Sequence, residues 1–141
     1  MDFLLLVGRV ALAAMFIYAG YGKFADVAGT AAAIAGKNLP MPQVLAIAAG
    51  AVELLGGALV VLGWQTRLAA ILLFLFTGAS TFLFHNFWDL PEGAERAAEM
   101  IQAMKNLSIM GGFLLLAAAG PGRLSVDGVP RAPAFEARTP D

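Results

Sequence analysis

Long apolar runs separated by short polar stretches make up most of the chain. Four such runs cover residues 3–21, 41–62, 68–88 and 104–119. A helix needs about 20 predominantly apolar residues to cross the hydrocarbon core of a bilayer. The pattern therefore predicts an all-α protein, an integral membrane four-helix bundle.

Two of the connections between these runs have helical signals of their own. In the first connection, Asp26 and Gly36 are suited to cap the two ends of a short Ala-rich helix, which we expect to lie at the membrane interface. In the third connection, the run Asp89-Leu90-Pro91-Glu92 is typical of a helix start. We expect the stretch 91–104 to be helical, either lying at the interface or running directly into the fourth span.

The two ends of the chain differ in character. No basic segment precedes the first apolar run, and cleavage after its small residues at 11–13 would leave an apolar segment too short for a signal peptide, so we expect a retained transmembrane helix. Gly120-Pro121-Gly122 ends the fourth span. Residues 1–122 are therefore assigned to the bundle. Residues 123–141 carry three prolines and six charges, and we expect them to form a polar C-terminal tail with a loose end.

Composition narrows the class of protein further. Hydrophobic residues make up 60% of the 141 residues and charged residues 13%, half of the share usual in soluble domains. The net charge of −1 leaves no basic excess to neutralise phosphates, which argues against nucleic-acid binding. There is no cysteine and a single histidine, so one copy cannot build a disulfide, a thiolate metal site or a multi-histidine centre. We expect no metal site.

Two charged residues lie deep within predicted spans. Ionisable groups are costly in hydrocarbon, so Arg9 and Glu53 are candidates for function. At 1.5 Å of rise per residue they lie about 9 Å and about 15 Å from the same membrane surface, a difference that an arginine side chain can cover. The spacing therefore predicts an Arg9–Glu53 ion pair facing the bundle. The alternative to a functional role is a structural pair that fixes helix register.

A second polar layer is expected near the opposite membrane surface. His85, Lys23 and Asn106 fall at that level, and Phe82, Phe84 and Trp88 are candidates for an aromatic lining. Each has a simpler interpretation, since a lysine near a helix end can extend to the interface and a tryptophan there belongs to the usual aromatic belt. The candidate ligand-binding or interior polar residues are thus Arg9, Lys23, Glu53, His85 and Asn106.

The orientation is predicted from the distribution of basic residues. An even number of spans places both termini on one side. That side carries five of the nine basic residues, namely Arg9, Arg67, Arg123, Arg131 and Arg138. The slight excess predicts that both termini are cytoplasmic.

Several short segments resemble the DoxX family of small four-helix membrane proteins. They occur in the family's order across residues 5–128: Gly8-Arg9 with Gly20-Tyr21-Gly22-Lys23-Phe24, Glu53-Leu54-Leu55-Gly56-Gly57 with Gly63 and Arg67, His85-Asn86-Phe87-Trp88, Lys105-Asn106-Leu107-Ser108-Ile109-Met110-Gly111-Gly112, and Gly120 to Asp127. The resemblance implies a protein of the bacterial cytoplasmic (inner) membrane. The family takes its name from a small subunit of a thiosulfate:quinone oxidoreductase, and it supplies no catalytic residues that can be transferred here.

Three functions remain open at this point. The first is a non-catalytic subunit or accessory factor of a quinone-linked or redox complex. It would have no built-in cofactor and would contact the lipid bilayer and a redox partner or further copies of itself. This resemblance and the outer polar layer together suggest a quinone as ligand. The second is a small transporter or proton-conducting bundle using Glu53 and His85. The third is a structural or assembly protein without a ligand.

Overall fold

The structure is a computed structural model that describes residues 1–128, and this part of the chain is all-helical. It contains five α-helices: α1 Asp2–Ala25, α2 Val27–Ala35, α3 Pro42–Leu62, α4 Thr66–Phe84 and α5 Ala94–Ala119, with a single 3-10 turn at Phe87–Asp89 between α4 and α5. Four helices are long and apolar enough to cross a membrane, namely α1, α3, α4 and α5. The third of these spans includes the residues that follow α4 as far as Asp89. The all-α prediction with four spanning helices is confirmed.

The connecting helices settle what the sequence left open. Helix α2 forms where expected, and the Asp26 side chain caps it by accepting a hydrogen bond of 2.8 Å from the Gly29 amide. Helix α5 begins at Ala94, so the third connection runs directly into the fourth span and that helix starts ten residues before the predicted position 104. No proline or glycine interrupts residues 94–110, so nothing in this stretch breaks the helix.

The four spanning helices surround the core in the order α1, α3, α4, α5. Neighbours in this order are antiparallel and pack along their lengths, except that α1 and α5 make few contacts. These two helices meet near the chain termini, where the Phe16 and Phe113 rings lie edge to face at 5.1 Å and a Cβ added at Gly112 would lie 3.2 Å from Leu12. We call this end of the bundle the termini end and the opposite end, which carries α2 and residues 85–93, the loop end.

Glycines set the distance between α1 and α3. A Cβ added at Gly20 would lie 2.6 Å from the Leu54 amide nitrogen, and one added at Gly57 would lie 2.8 Å from Ile17. Such small residues let two helix backbones approach closely, which is the main source of helix association where lipid removes the hydrophobic driving force. The packed core beside this contact consists of Ala13, Phe16, Val60, Ala69, Ala70, Leu73, Phe113 and Leu116.

The segment 123–128 lies against the turn between α3 and α4. The Asp127 amide donates to the Gly63 carbonyl at 2.8 Å. The Asp127 carboxylate accepts from the Gln65 amide at 3.0 Å and from the amide and hydroxyl of Thr66 at 2.9 and 2.8 Å. Because Gln65 does not cap α4 with its own side chain, Asp127 caps that helix from the far end of the sequence. This part of the predicted polar tail is therefore docked on the bundle, and residues 129–141 lie outside the described residues.

The close contact at Gly20 predicts that Gly20→Ala destabilises the bundle. The added methyl would meet the α3 backbone and force the helices apart, and overpacking of this kind costs about 1–3 kcal/mol. Gly22→Ala is the matched control, because a Cβ at Gly22 meets no atom within 4 Å and replacing a helical glycine stabilises by up to about 1 kcal/mol. Thermal unfolding in detergent should lower the Tm of the first variant only. Equal Tm values would mean that α1 and α3 are not in close contact.

The distant cap predicts that Asp127→Ala also destabilises the protein. Loss of a helix cap costs about 0.5–2 kcal/mol, because the first amides of the helix lose their acceptor. Asp127→Asn keeps one acceptor oxygen without the charge and should fall between the parent and the alanine variant in detergent melting. A parent-like Tm for Asp127→Ala would show that the docked segment does not support α4.

Candidate functional site

A cavity of about 720 Å³ lies between the spanning helices in the half of the bundle nearest the loop end. Every α-helix contributes to its wall. Apolar side chains form most of this surface, chiefly Met15, Phe16, Ile34, Leu45, Val52, Phe76, Leu83 and Phe84. The polar residues of the wall are Lys23, Thr30, Glu53, Thr77, Ser80, His85, Lys105 and Asn106. The arrangement, mostly apolar with a few converging polar groups, is typical of a small-molecule site.

The cavity exists because α1 and α5 diverge. Phe16 and Phe113 pack against each other and close its floor toward the termini end. Above them, Lys105 and Asn106 of α5 stand across the open space from Met15 and the residues that follow it on α1. At the loop end, Ile34 of α2 belongs to a small apolar cluster that also includes Leu39, Leu45 and Phe84, and this cluster covers one side of the cavity.

An ion pair joins α1 and α3 in the cavity wall. The Lys23 ammonium lies 2.6 Å from a Glu53 carboxylate oxygen, with side-chain exposures of 26% and 9% respectively. The close helix contact holds this pair in place, because a Cβ added at Gly50 would lie 3.3 Å from the Lys23 Cβ. Pairing removes the large cost of leaving Glu53 charged and alone in an apolar surrounding.

The predicted Arg9–Glu53 pair is wrong. Arg9 lies level with Gly63 at the end of α3, since a Cβ added at Gly63 would touch the Arg9 guanidinium. Glu53 is ten residues earlier in α3, which places it about 15 Å away along the helix axis. Helical side chains also lean toward the N-terminus of their own helix, so Arg9 leans away from Glu53 while Lys23 and Glu53 lean toward each other.

Arg9 instead holds the termini end together. Its side chain is 1% exposed and donates a hydrogen bond to the Leu124 carbonyl, and the negative charge of Asp127 acts on it. Within residues 1–128, Nε and Nη1 of Arg9 have no hydrogen-bond partner. Because it lies at the C-terminal end of α3, its charge also faces the partial negative charge of that helix end. The position links α1, the α3–α4 turn and the docked segment 123–128.

The other polar candidates surround the cavity and bond to neighbours that the sequence did not indicate. Asn106 donates to the Thr81 hydroxyl at 2.9 Å, and Thr81 in turn donates to the Thr77 carbonyl at 2.7 Å. His85 Nδ1 lies 2.7 Å from a Glu99 carboxylate oxygen. Glu99 was missed because it was placed in a connection of uncertain course. It lies seven residues, two helical turns, before Asn106, and a continuous helix would have indicated the shared face.

The aromatic candidates separate into two groups. Phe84 lines the cavity, and the Lys37 ammonium lies 5.9 Å from the centre of its ring. Phe82 and Trp88 lie outside the cavity, 68% and 46% exposed, with their rings 5.6 Å apart. An exposed aromatic pair near the end of a spanning helix is typical of an interfacial belt. Lys23, Glu53, His85, Asn106 and Phe84 are thus brought together around the cavity, and Arg9, Phe82 and Trp88 are not.

Metal-binding groups do not gather anywhere in residues 1–128, where no three His, Cys, Asp or Glu side chains form a cluster able to hold a metal ion. The polar groups of the cavity are instead hydrogen-bond donors and acceptors and one ion pair. The chemistry available to them is the binding and orientation of a ligand and the holding of a proton.

Comparison with known proteins identifies the family. The DoxX family profile matches residues 4–86, more than half of the chain. The chain belongs to the DoxX family. Two Escherichia coli relatives are similar over nearly their whole lengths: inner membrane protein YphA is 40% identical over 88% of each chain, and inner membrane protein YqjF is 38% identical over 86% of this chain and 88% of its own.

A more distant similarity connects this DoxX protein to a eukaryotic one. Surfeit locus protein 4 homolog of Schizosaccharomyces pombe is 37% identical over 71 residues, half of this chain and 24% of that protein. No solved structure matches the chain. The DoxX match covers α1 to α4 and includes Lys23, Glu53 and His85, whereas Lys105 and Asn106 of α5 lie beyond it.

The observed pairing predicts strong energetic coupling between Lys23 and Glu53. Lys23→Met or Glu53→Leu alone leaves a buried charge without its partner and should cost about 3 kcal/mol, while the double variant should cost much less than the sum. The measurement is a double-mutant cycle of unfolding in detergent. Arg9→Met combined with Glu53→Leu is the control, whose losses should add to within about 0.5 kcal/mol. The structure would be contradicted if the losses at Arg9 and Glu53 were coupled while those at Lys23 and Glu53 simply added.

Proposed function

We propose that this DoxX protein binds a quinone-type ring in its cavity and serves as a non-catalytic subunit or accessory factor of a quinone-linked redox complex in the inner membrane. The observation that carries the proposal is the cavity itself, mostly apolar and about 720 Å³ in volume. Ligand pockets for small organic molecules commonly measure about 300–1,000 Å³. The names of the two Escherichia coli relatives support the inner-membrane location.

The polar groups of the cavity fit a ligand that accepts hydrogen bonds. A quinone ring presents carbonyl oxygens, which are acceptors only. Lys23 and Lys105 supply ammonium donors, and one N–H of the Asn106 amide is committed to Thr81 while its other N–H is a further donor. Phe84 and Leu83 offer apolar faces for the ring. A bound quinone would supply two-electron redox chemistry, and the chain's own residues would bind and orient it.

The side chains available are compatible with the role of subunit or accessory factor. The chain has no cysteine and one histidine, so its own residues offer no thiol couple. The redox step that uses the quinone would take place in a partner protein. Contact with such a partner, or with further copies of this chain, is part of the proposal.

A transporter or proton-conducting bundle is the second candidate, favoured by the fact that Glu53 and His85 line one cavity. Its weakness is the floor of that cavity. An apolar layer that includes Phe16, Leu73 and Phe113 separates the cavity from the termini end. A proton or polar solute would have to cross this layer without polar contacts. Ligand binding needs no such crossing and is therefore the better account. A structural or assembly role without ligand leaves the cavity unexplained.

For orientation, we propose that both termini are cytoplasmic. Arg9 and Arg123 lie at the termini end and Lys23, Lys37 and Lys105 lie nearer the loop end. The residues Arg131 and Arg138, which complete the basic excess, lie outside the described residues. The proposal therefore rests on the sequence distribution of positive charge.

Quinone binding predicts that the purified protein carries quinone when made in a host that synthesises it. Ala49→Phe should fill the cavity that Ala49 lines and abolish this content. His85→Ala should lower it by about tenfold if the imidazole contributes a hydrogen bond of about 1.4 kcal/mol. Quinone is extracted with organic solvent and measured per protein after matched detergent washing.

Ile47→Phe is the matched control for the cavity-filling variant. Ile47 is on the same helix but is half exposed on the outside of the bundle, so the same added ring should leave the quinone content unchanged. Melting temperatures of all variants identify any that fail to fold. A parent protein with no more quinone than an unrelated four-span protein, or an Ala49→Phe variant that keeps its quinone, would overturn the proposal.

A further inference from the structure

The side of the bundle between α1 and α5 is open beside the cavity, because these two helices make few contacts. On α1, the stripe Gly8, Leu12, Met15, Ala19 and Gly22 follows helical spacing and faces α5. Leu12 packs on Gly112, and Gly8, Leu12 and Leu115 border a second, smaller pocket of about 290 Å³ at the termini end. Met15, Ala19 and Gly22 instead line the cavity. Across from them stands Lys105, two helical turns before Gly112 on the same face of α5.

The residues that border this gap obstruct it little. Ala19 carries one methyl group, and a Cβ added at Gly22 would meet no atom within 4 Å. Met15 and Lys105 are both exposed and have long, unbranched side chains that can change rotamer. The gap thus joins the cavity to the outer surface of the bundle between two helices that are long and apolar enough to cross a membrane.

The other sides are closed by close packing. Gly20 and Gly57 hold α1 against α3, Gly56 receives Leu73 between α3 and α4, and Gly78 receives Met110 between α4 and α5. The loop end is covered on the side of α3 and α4. Ile34 and Leu39 pack there with Phe84, and Lys37 donates to Asn86 at 3.3 Å, tying the first connection to the third.

We propose that the cavity exchanges its ligand with the bilayer sideways, through the gap between α1 and α5. The inference rests on the proposed ligand-binding function and narrows the ligand to an amphipathic molecule dissolved in the membrane. Its apolar body would pass between Ala19 and Lys105, and its polar head would come to rest near Lys23.

A single cysteine inside the cavity tests the route, since the chain has no cysteine of its own. Ser80 lines the cavity, and Ser80→Cys changes one atom. In liposomes, N-phenylmaleimide dissolved in the lipid should label this thiol about tenfold or more faster than a charged methanethiosulfonate in the water. A denatured sample of the same variant sets the intrinsic reactivity of the thiol toward each reagent.

Bulky residues in the gap then test its position. Adding Ala19→Trp or Gly22→Trp to Ser80→Cys should slow labelling by the lipid-dissolved maleimide by about tenfold or more. Two sites are used so that a folding failure in one leaves the other informative. Tyr18→Trp is the matched control, because Tyr18 neighbours Ala19 but is 80% exposed and does not line the cavity. Labelling of this control should equal that of Ser80→Cys alone.

The outcomes separate this inference from the proposed function. Fast labelling by the charged reagent, or unchanged maleimide labelling in folded Ala19→Trp and Gly22→Trp variants, would overturn the lateral route whether or not quinone binds. Labelling that follows the expected pattern in a protein without quinone would support the route and refute quinone as the ligand. The labelling rates require no bound ligand and no enzymatic activity.

Discussion

The close approach of α1 and α3 is the constraint on which the rest of the structure depends. With no side chain at Gly20, Gly50 or Gly57, the two backbones lie near contact. This commits α1 to α3 and fixes the relative heights of the two helices. Lys23 then comes within 2.6 Å of Glu53, and Arg9 comes level with the end of α3. Helix α1 packs on α3 and makes few contacts with α5, and the cavity opens between α1 and α5.

The bundle concentrates its polar groups where a ligand could use them and keeps the opposite end for structure. At the termini end, Asp127 caps α4 and Arg9 donates to the Leu124 carbonyl of the docked segment. At the loop end, Lys23, His85, Lys105 and Asn106 border an open volume. Polar groups in a membrane are costly, so they are usually paired or kept for a function. In this bundle the polar groups with structural contacts lie at the termini end, and those that border the cavity lie at the loop end.

The sequence predicted the features that depend on local pattern. It missed the side-chain contacts that depend on how the helices are offset along their axes. Apolar run length gave the four spans, and Asp26 and Gly36 gave α2, because caps and hydrophobic length are local properties. The Arg9–Glu53 pair failed because depth was counted from the ends of each run, whereas glycine contacts set the true offset between α1 and α3. Glu99 was missed for a similar reason, since its place beside His85 requires α5 to be one continuous helix.

The cap supplied by Asp127 has a consequence for biosynthesis. A ribosome delivers the chain from its N-terminus, so α3 and α4 enter the membrane well before residue 127 exists. Until then the amides of Gln65 and Thr66 lack their acceptor, and the buried hydroxyl of Thr66 lacks it too. The hairpin of α3 and α4 is therefore completed only after α5 has crossed back and delivered the segment that follows it. In the same way, Arg9 gains its hydrogen-bond acceptor, the Leu124 carbonyl, only after residue 124 has been synthesised. The last part of the described chain to be synthesised thus completes the contacts of the first, because the Leu124 carbonyl accepts from Arg9 of α1.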